Sequence, residues 1–355
     1  MARPLRINVA EGWYHVTSRG TDRRVIYDGD REYAHFLGLL GEMRGRFRLR
    51  INAYVLMPNH YHVLIETPEV NLSQAMQWLN TSYGMWYNRR HGRVGPLLQG
   101  RFKAVLVESP SSAVSGGWAL EVSRYIHLNP VRVKGLGLGK AEAKGEGRGV
   151  SRAPTAEAVA RRLEVLRGYR WSSYPAYAGY RKAEEWLTTW ELLGRMKREG
   201  KLARAKYRRE VEAVLRQGVE VTGWGEIREA LVLGTEAFRQ AIARDVKRDG
   251  LVQKRAREIS RCVGVGQVLA AVEGIRSERW AAFRERQGDW GRDMVLYLLR
   301  RYGGMTLREV GSWAGGMSWS AVSVAIRRLS RRMQHDAKLA NICERLQLEL
   351  SNVQT

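Results

Sequence analysis

The chain has 355 residues, with 60 Lys and Arg against 36 Asp and Glu and a formal net charge of +24, so its length points to more than one domain and its charge to a polyanionic partner, nucleic acid first. A hydrophobic content of 44% with 12 Trp excludes a disordered basic tail, and Cys262 and Cys343, without CxxC spacing, speak against a disulfide framework or a zinc knuckle. No apolar run reaches the roughly 18 residues of a membrane span and no apolar signal core follows Met1 to Arg6, so the expectation is a soluble, cytoplasmic protein with no membrane partner.

In chain order, Trp13 to Thr17 reads as a first strand that ends at Ser18-Arg19-Gly20. Asp30 to Arg44 has helical spacing through Tyr33, Phe36, Leu39 and Leu40. Leu49 to Thr67 holds two strands divided near Pro58-Asn59, a turn-favouring pair. On the second of them His60 and His62 stand two apart and share a face, while Tyr61, Val63 and Ile65 take the other. Two neutral imidazoles on one rigid strand make half of a metal site. The competing reading is a pair of solvent-facing histidines on a half-exposed strand.

A helix opens at Asn71-Leu72-Ser73 and runs to about Tyr87, before the basic stretch Asn88 to Gly92. Lys103 to Val107 is a short strand, and Ala113 to Asn129 a helix stopped by Pro130. Tyr125 and Asn129 lie four apart on it and share one face, so a phenol and a carboxamide point at one place. The alternative is a packed tyrosine followed by ordinary helix-ending chemistry. Strand, helix, two strands, helix, strand, helix describes an α+β fold, an antiparallel sheet with helices on one face.

Gly135 to Arg152, rich in Gly, Lys, Glu and Ala, reads as a flexible loop. Glu184 to about Val272 is helical and strongly basic. Near the C-terminus Met294, Val295, Leu298 and Leu299 mark a helix, and Thr306-Leu307-Arg308-Glu309 is a capping box that starts another. Gly315-Gly316 ends it and Ser318 caps a third, with Val322, Ile326, Leu329 and Met333 as its apolar stripe and Arg327, Arg328, Arg331 and Arg332 as its basic face. That is the pattern of a helix-turn-helix, or of a helical hairpin used for packing.

Four stretches carry a resemblance: Met57-Pro58-Asn59-His60-Tyr61-His62, Leu98-Gln99-Gly100-Arg101-Phe102-Lys103, Arg124-Tyr125-Ile126-His127-Leu128-Asn129-Pro130-Val131-Arg132 and Trp171-Ser172-Ser173-Tyr174. Together, from about residue 8 to residue 180, they resemble the REP-associated tyrosine transposases, within the single-tyrosine HUH transposases. The resemblance implies a ferredoxin-like HUH nuclease core. It implies Tyr125 as the nucleophile that leaves a 5′-phosphotyrosine linkage, with His60, His62 and Asn129 as ligands of a divalent metal, Mg²⁺ or Mn²⁺. The implied substrate is single-stranded DNA beside hairpins of repetitive palindromic elements. The C-terminal segment resembles the duplex-binding domain of the bacterial replication initiator.

Arg89, Arg90, Arg101 and Lys103 lie in sequence between the two halves of the site and are expected to follow a strand backbone, with Trp86, Tyr87 and Phe102 read either as base-stacking rings or as core-packing side chains. Arg327, Arg328 and Arg331 are the candidates for duplex contacts. His127, two residues from Tyr125, is expected to face away and be structural. The expected domains are residues 1–180 for the nuclease, with an insertion at about 135–165, then 181–288 as a basic helical region and 289–355 as the helix-turn-helix. The leading function is a metal-dependent single-strand DNA endonuclease and strand transferase, cytoplasmic and associated with the nucleoid. The alternative is a non-catalytic DNA-binding regulator; an RNA-binding protein ranks last, for want of an RNA-module signature. Monomer and homodimer remain equally compatible with the sequence.

Overall fold

The computed structural model describes residues 7–110, 117–138, 154–196, 200–217, 231–248, 263–303 and 305–352. Most of the glycine-rich loop expected at Gly135 to Arg152, and Cys262, lie outside the described residues. The chain forms two compact units, one drawn from Met1–Leu136 and Ala156–Arg216, the other from Gly137–Thr155 and Gln217–Thr355. Among the described residues no helix is long and apolar enough to cross a membrane.

The first unit contains β1 (Gly12–Arg19), α1 (Asp30–Phe47), β2 (Arg50–Met57), β3 (His60–Thr67), α2 (Leu72–Arg90), β4 (Lys103–Val107), α3 (Gly117–His127), α4 (Ala156–Gly168), α5 (Tyr174–Ala178), α6 (Trp190–Gly194) and α7 (Gly200–Gln217). Its strands lie in the order β2–β3–β1–β4, and each of these pairings is antiparallel. Pro58 and Asn59 make the tight link between β2 and β3, as the sequence predicts, with Met57 opposite His60. The result is an α+β core.

The helices do not share one face of the sheet, which corrects the expected layering. Tyr61 sends its ring toward Phe36 of α1, 4.9 Å between centroids, and its hydroxyl donates to Asn80 Oδ1 of α2 at 2.6 Å. His62, the next residue, points the opposite way, its ring 5.5 Å from that of Tyr125 on α3. The cause is written in the strands: Ile51 to Met57 and Tyr61 to Thr67 are buried at every position. Near-continuous apolar runs mark strands covered on both faces, whereas one-sided sheets alternate.

The outer edge of β2 is closed by the Trp171-Ser172-Ser173-Tyr174 stretch. Leu56 N–H donates to Trp171 O at 2.9 Å and Ser173 N–H to Tyr54 O at 3.0 Å; Tyr54 N–H in turn donates to Ser173 Oγ at 2.8 Å. Unpaired edge groups invite aggregation, so this cover has a plain structural purpose. His127 ties the edge to α3 and α7: its two ring nitrogens lie 2.7 Å from Ser173 Oγ and 2.7 Å from Tyr207 Oη. The imidazole is fully buried, and burial pushes its pKa down to about 3.

The second unit is largely helical, with α8 (Glu236–Arg248), α9 (Val265–Arg276), α10 (Trp280–Phe283), α11 (Trp290–Arg301), α12 (Leu307–Trp313), α13 (Trp319–His335) and α14 (Ala337–Asn352). One apolar cluster runs from Val263 to Leu350, so the helices before residue 289 share a core with those after it. The capping box at α12 is formed, Thr306 N–H donating to Glu309 Oε2 at 2.6 Å and Glu309 N–H to Thr306 Oγ1 at 3.2 Å. Ser318 caps α13 through Ala321 N–H at 3.2 Å. Between them Gly315 and Gly316 take φ of 94° and 84°, left-handed values that favour glycine. At Gly311 a Cβ would lie 2.2 Å from Met317 O, so the close return of the chain after α12 requires glycine there.

Candidate active site

Three elements bring four aromatic rings together. β3 supplies His60 and His62, their rings 5.1 Å apart and nearly perpendicular at 82°. α3 supplies Tyr125, edge-on to His62. β1 supplies His15, whose ring lies 12° from the plane of the His62 ring with centroids 5.1 Å apart and meets Tyr125 edge-on at 5.6 Å. The phenol is therefore seated against two imidazoles by helix packing onto β2 and β3. His60 is half-buried and His62 only 5% exposed, so the pair spans the rim and floor of the site.

The hydrogen bonds set how His60 presents itself. Asn59 Nδ2 donates to Arg23 O at 3.0 Å, which identifies the other end of that amide as its oxygen. His60 Nδ1 lies 2.7 Å from that Oδ1 and must donate to it. In the neutral ring the lone pair then sits on Nε2. A histidine pinned through Nδ1 in this way has its tautomer and ring orientation fixed, as metal-ligating histidines usually do. Asn129 turns its amide nitrogen back on α3, donating to Tyr125 O at 2.8 Å and Ile126 O at 3.4 Å. Its oxygen is then the end of the side chain that can serve a cation.

Among the described residues no group of three or more His, Cys, Asp or Glu is placed to hold a metal ion. A site built on His60 and His62 would therefore need oxygen donors from an amide, water or substrate. Two imidazoles with oxygen donors fit a divalent ion of intermediate hardness, leaving positions for a phosphate.

The register places cations beside the histidines. Across β1, Thr17 is paired with both His62 and Lys103, and Arg19 with His60; directly paired residues share a sheet face. Lys103 and Arg19 are exposed, and Arg19 Nη2 donates to Gln99 Oε1 at 2.8 Å. Gln99 N–H donates to Arg19 O at 2.8 Å, which draws the stretch Leu98 to Lys103, with exposed Arg101, along the end of β1. Just after β1, Gly20 lets the chain turn back closely on itself, since a Cβ there would lie 2.3 Å from Arg24 O.

Other expected contacts are elsewhere. Arg89 and Arg90 end α2, on the far side of the sheet, and Arg90 Nε donates to Glu32 Oε1 at 2.9 Å. Phe102 and Tyr87 are buried, in keeping with the core-packing reading of these rings; Tyr87 donates its hydroxyl to Asp28. Trp86 is half-buried and stacked on His35 at 3.9 Å. On α13, Arg328 is clamped by Asp293, Nε and Nη2 each donating to a carboxylate oxygen at 2.8 Å, so its guanidinium holds α13 to α11. Arg331 on the same helix is exposed and Arg327 half-buried.

The other candidate nucleophiles are tied down. Tyr61 gives its proton to Asn80 and Tyr83 to Ile26 O, and burial raises the pKa of both hydroxyls. Burial and the Asp28 carboxylate push Tyr87 up to about 12. All three belong to the α1–α2 side of the sheet. Two residues near the site escaped the sequence reading: His15, and Arg132, whose guanidinium carbon is 5.4 Å from the centroid of the Tyr125 ring.

This arrangement of a two-histidine strand can be set against known proteins. Over residues 8–113 the chain matches the family described as transposase, IS200-like. The IS200-like stretch contains His15, His60, His62 and Lys103 but stops before Tyr125 and Asn129, whose placement rests on the geometry above. A solved structure described as a REP-associated tyrosine transposase bound to a REP hairpin is 18% identical, covering 41% of this chain and 79% of that one with a TM-score of 0.32. No curated protein matches the chain.

Proposed function

We propose that the protein is a transposase-type DNA strand transferase that cuts single-stranded DNA beside hairpin repeats through Tyr125. The observation that carries the reading is the seating of the Tyr125 ring against His62, with His60 beside it, on the face where Arg19 and Lys103 are displayed. The phenol oxygen attacks phosphorus and forms a new P–O bond while the bond to the 3′-oxygen breaks. The proton lost by the phenol balances the one gained by the departing hydroxyl. The covalent 5′-phosphotyrosine preserves the bond energy, so another 3′-hydroxyl can reverse the step without a nucleotide cofactor.

His60, His62 and the Asn129 oxygen would hold Mg²⁺ or Mn²⁺. When bound, such an ion supplies polarisation of the scissile phosphate. The chain's own part is to fix the two imidazoles through Asn59 and β1, to hold the nucleophile on α3, and to neutralise backbone charge with Lys103, Arg19 and Arg101. The hairpin preference rests on the motif resemblance. In the second unit, Arg327 and Arg331 on α13 are assigned to duplex contacts, and the protein to the cytoplasm beside the nucleoid.

The test is a denaturant-resistant adduct between the full chain and a 5′-end-retaining fragment of a cleaved oligonucleotide. Wild type should form it in Mn²⁺ and lose it with excess chelator. His60→Ala and His62→Ala should each abolish it with circular dichroism unchanged. Cleavage undiminished in chelator would end the metal assignment. Duplex binding with no adduct under any condition would leave the regulator reading standing.

A further inference from the structure

We infer that His15 is a positioning residue for His62, holding that ring's proton on Nδ1 so that its Nε2 lone pair is presented to a divalent cation. The inference rests on the reading of His62 as a ligand and adds a residue on another strand. His15 Nε2 lies 2.9 Å from His62 Nδ1, 47 residues apart in sequence, and both rings are buried, 2% and 5% exposed. Between two neutral imidazoles at that distance one nitrogen donates and the other accepts. If His62 donates, its Nε2 carries a lone pair. If His15 donates, His62 keeps its proton on Nε2 and cannot ligate.

The neighbours favour the first arrangement. His60 is pinned by Asn59 with its own lone pair on Nε2, so a site built on both histidines needs the same tautomer at His62. The two ring planes differ by only 12°, so the hydrogen bond runs close to both planes and also fixes the orientation of the His62 ring, and the edge contact of His15 with Tyr125 holds nucleophile and ligand in one packed group. β1 makes this possible: His15 lies two residues from Thr17, the residue opposite His62, and so on the same face. Outer partners of this kind set tautomer and orientation for ligating histidines.

The test uses the full chain and Mn²⁺ as probe, with binding followed by electron paramagnetic resonance. His15→Leu should weaken Mn²⁺ binding about 10- to 100-fold, the usual loss when an outer partner is removed. His15→Gln, whose amide oxygen can accept from Nδ1, should restore most of it. In parallel, ¹⁵N NMR of histidine-labelled wild type should find His62 protonated on Nδ1. Wild-type Mn²⁺ affinity in His15→Leu, alongside loss in His62→Ala, would overturn the role of His15 and leave the ligand reading intact. Wild-type affinity in His62→Ala would overturn both and show that the failure lies in the ligand reading. Should His15→Leu not fold, the NMR result decides: a proton on His62 Nε2 overturns the inference.

Discussion

The two units carry their functional residues in different ways. In the first, His15, His60, His62 and Tyr125 come from β1, β3 and α3 and meet only because strands pair and a helix packs across them. In the second, the basic residues sit on the single helix α13, and Arg328 among them is held by buried Asp293. A charge run on one helix says which face is polar, but not which charges are available. A cluster assembled across elements has fewer bland explanations, because a hydrogen-bonded pair of buried histidines must be satisfied somewhere.

The comparison can be broken most sharply at Tyr125. Tyr125→Phe keeps the ring contacts to His15 and His62 and removes the nucleophilic oxygen, so adduct formation should vanish while Mn²⁺ binding and the circular dichroism spectrum persist. Tyr83→Phe and Tyr87→Phe should keep the adduct. Peptide mapping of the phosphotyrosine to either of them would move the active site to the other side of the sheet.

Acid should unfold the first unit through His127. Its pKa is about 3 in the folded protein and near 6.5 in an unfolded chain. The unfolded state therefore binds the extra proton between these values, and stability falls as pH falls through that window. The slope from this group is at most about 1.4 kcal/mol per pH unit. Denaturant melts at pH 7, 5 and 4 should show the loss, and His127→Gln should flatten it.

In the second unit Arg328→Ala strips the partner from Asp293, which is fully buried. Breaking such a pair should cost about 2–3 kcal/mol, below the usual range for fully buried pairs because the arginine side chain is 37% exposed. Calorimetry should show this as a lower melting transition, and full stability would mean that Arg328 is available for other contacts. The smallest effect is expected at exposed Arg331. Arg331→Ala should weaken duplex binding alike for all sequences and reduce the salt slope by about one. An unchanged slope would take this helix face off the DNA.

Much of the first unit was legible because period and punctuation are local. The alternation at His60 and His62, the Pro58-Asn59 turn and the four-residue spacing of Tyr125 and Asn129 each depend on neighbours along the chain, as does the capping box at Thr306 in the second unit. The two-sided burial of β2 and β3 was also written locally, in near-continuous apolar runs, and an expectation of one-sided cover passed over it. His15 was not legible in this way. Its strand was, but its partner lies 47 residues on, and only the order β2–β3–β1 makes them neighbours.

By itself the sequence determined a basic chain of more than one domain, with a two-histidine strand, a tyrosine helix and a glycine-turned helix pair near its end. Tertiary structure alone decided which tyrosine meets the histidines, because helix packing chooses the sheet face. It also decided that Lys103 and Arg19 border the site, because register is a property of paired strands. Arg90 and Arg328 look in sequence like any exposed arginines. Only the fold, by burying Glu32 and Asp293 beside them, turned both into structural ion pairs, since a buried carboxylate must have its charge met nearby.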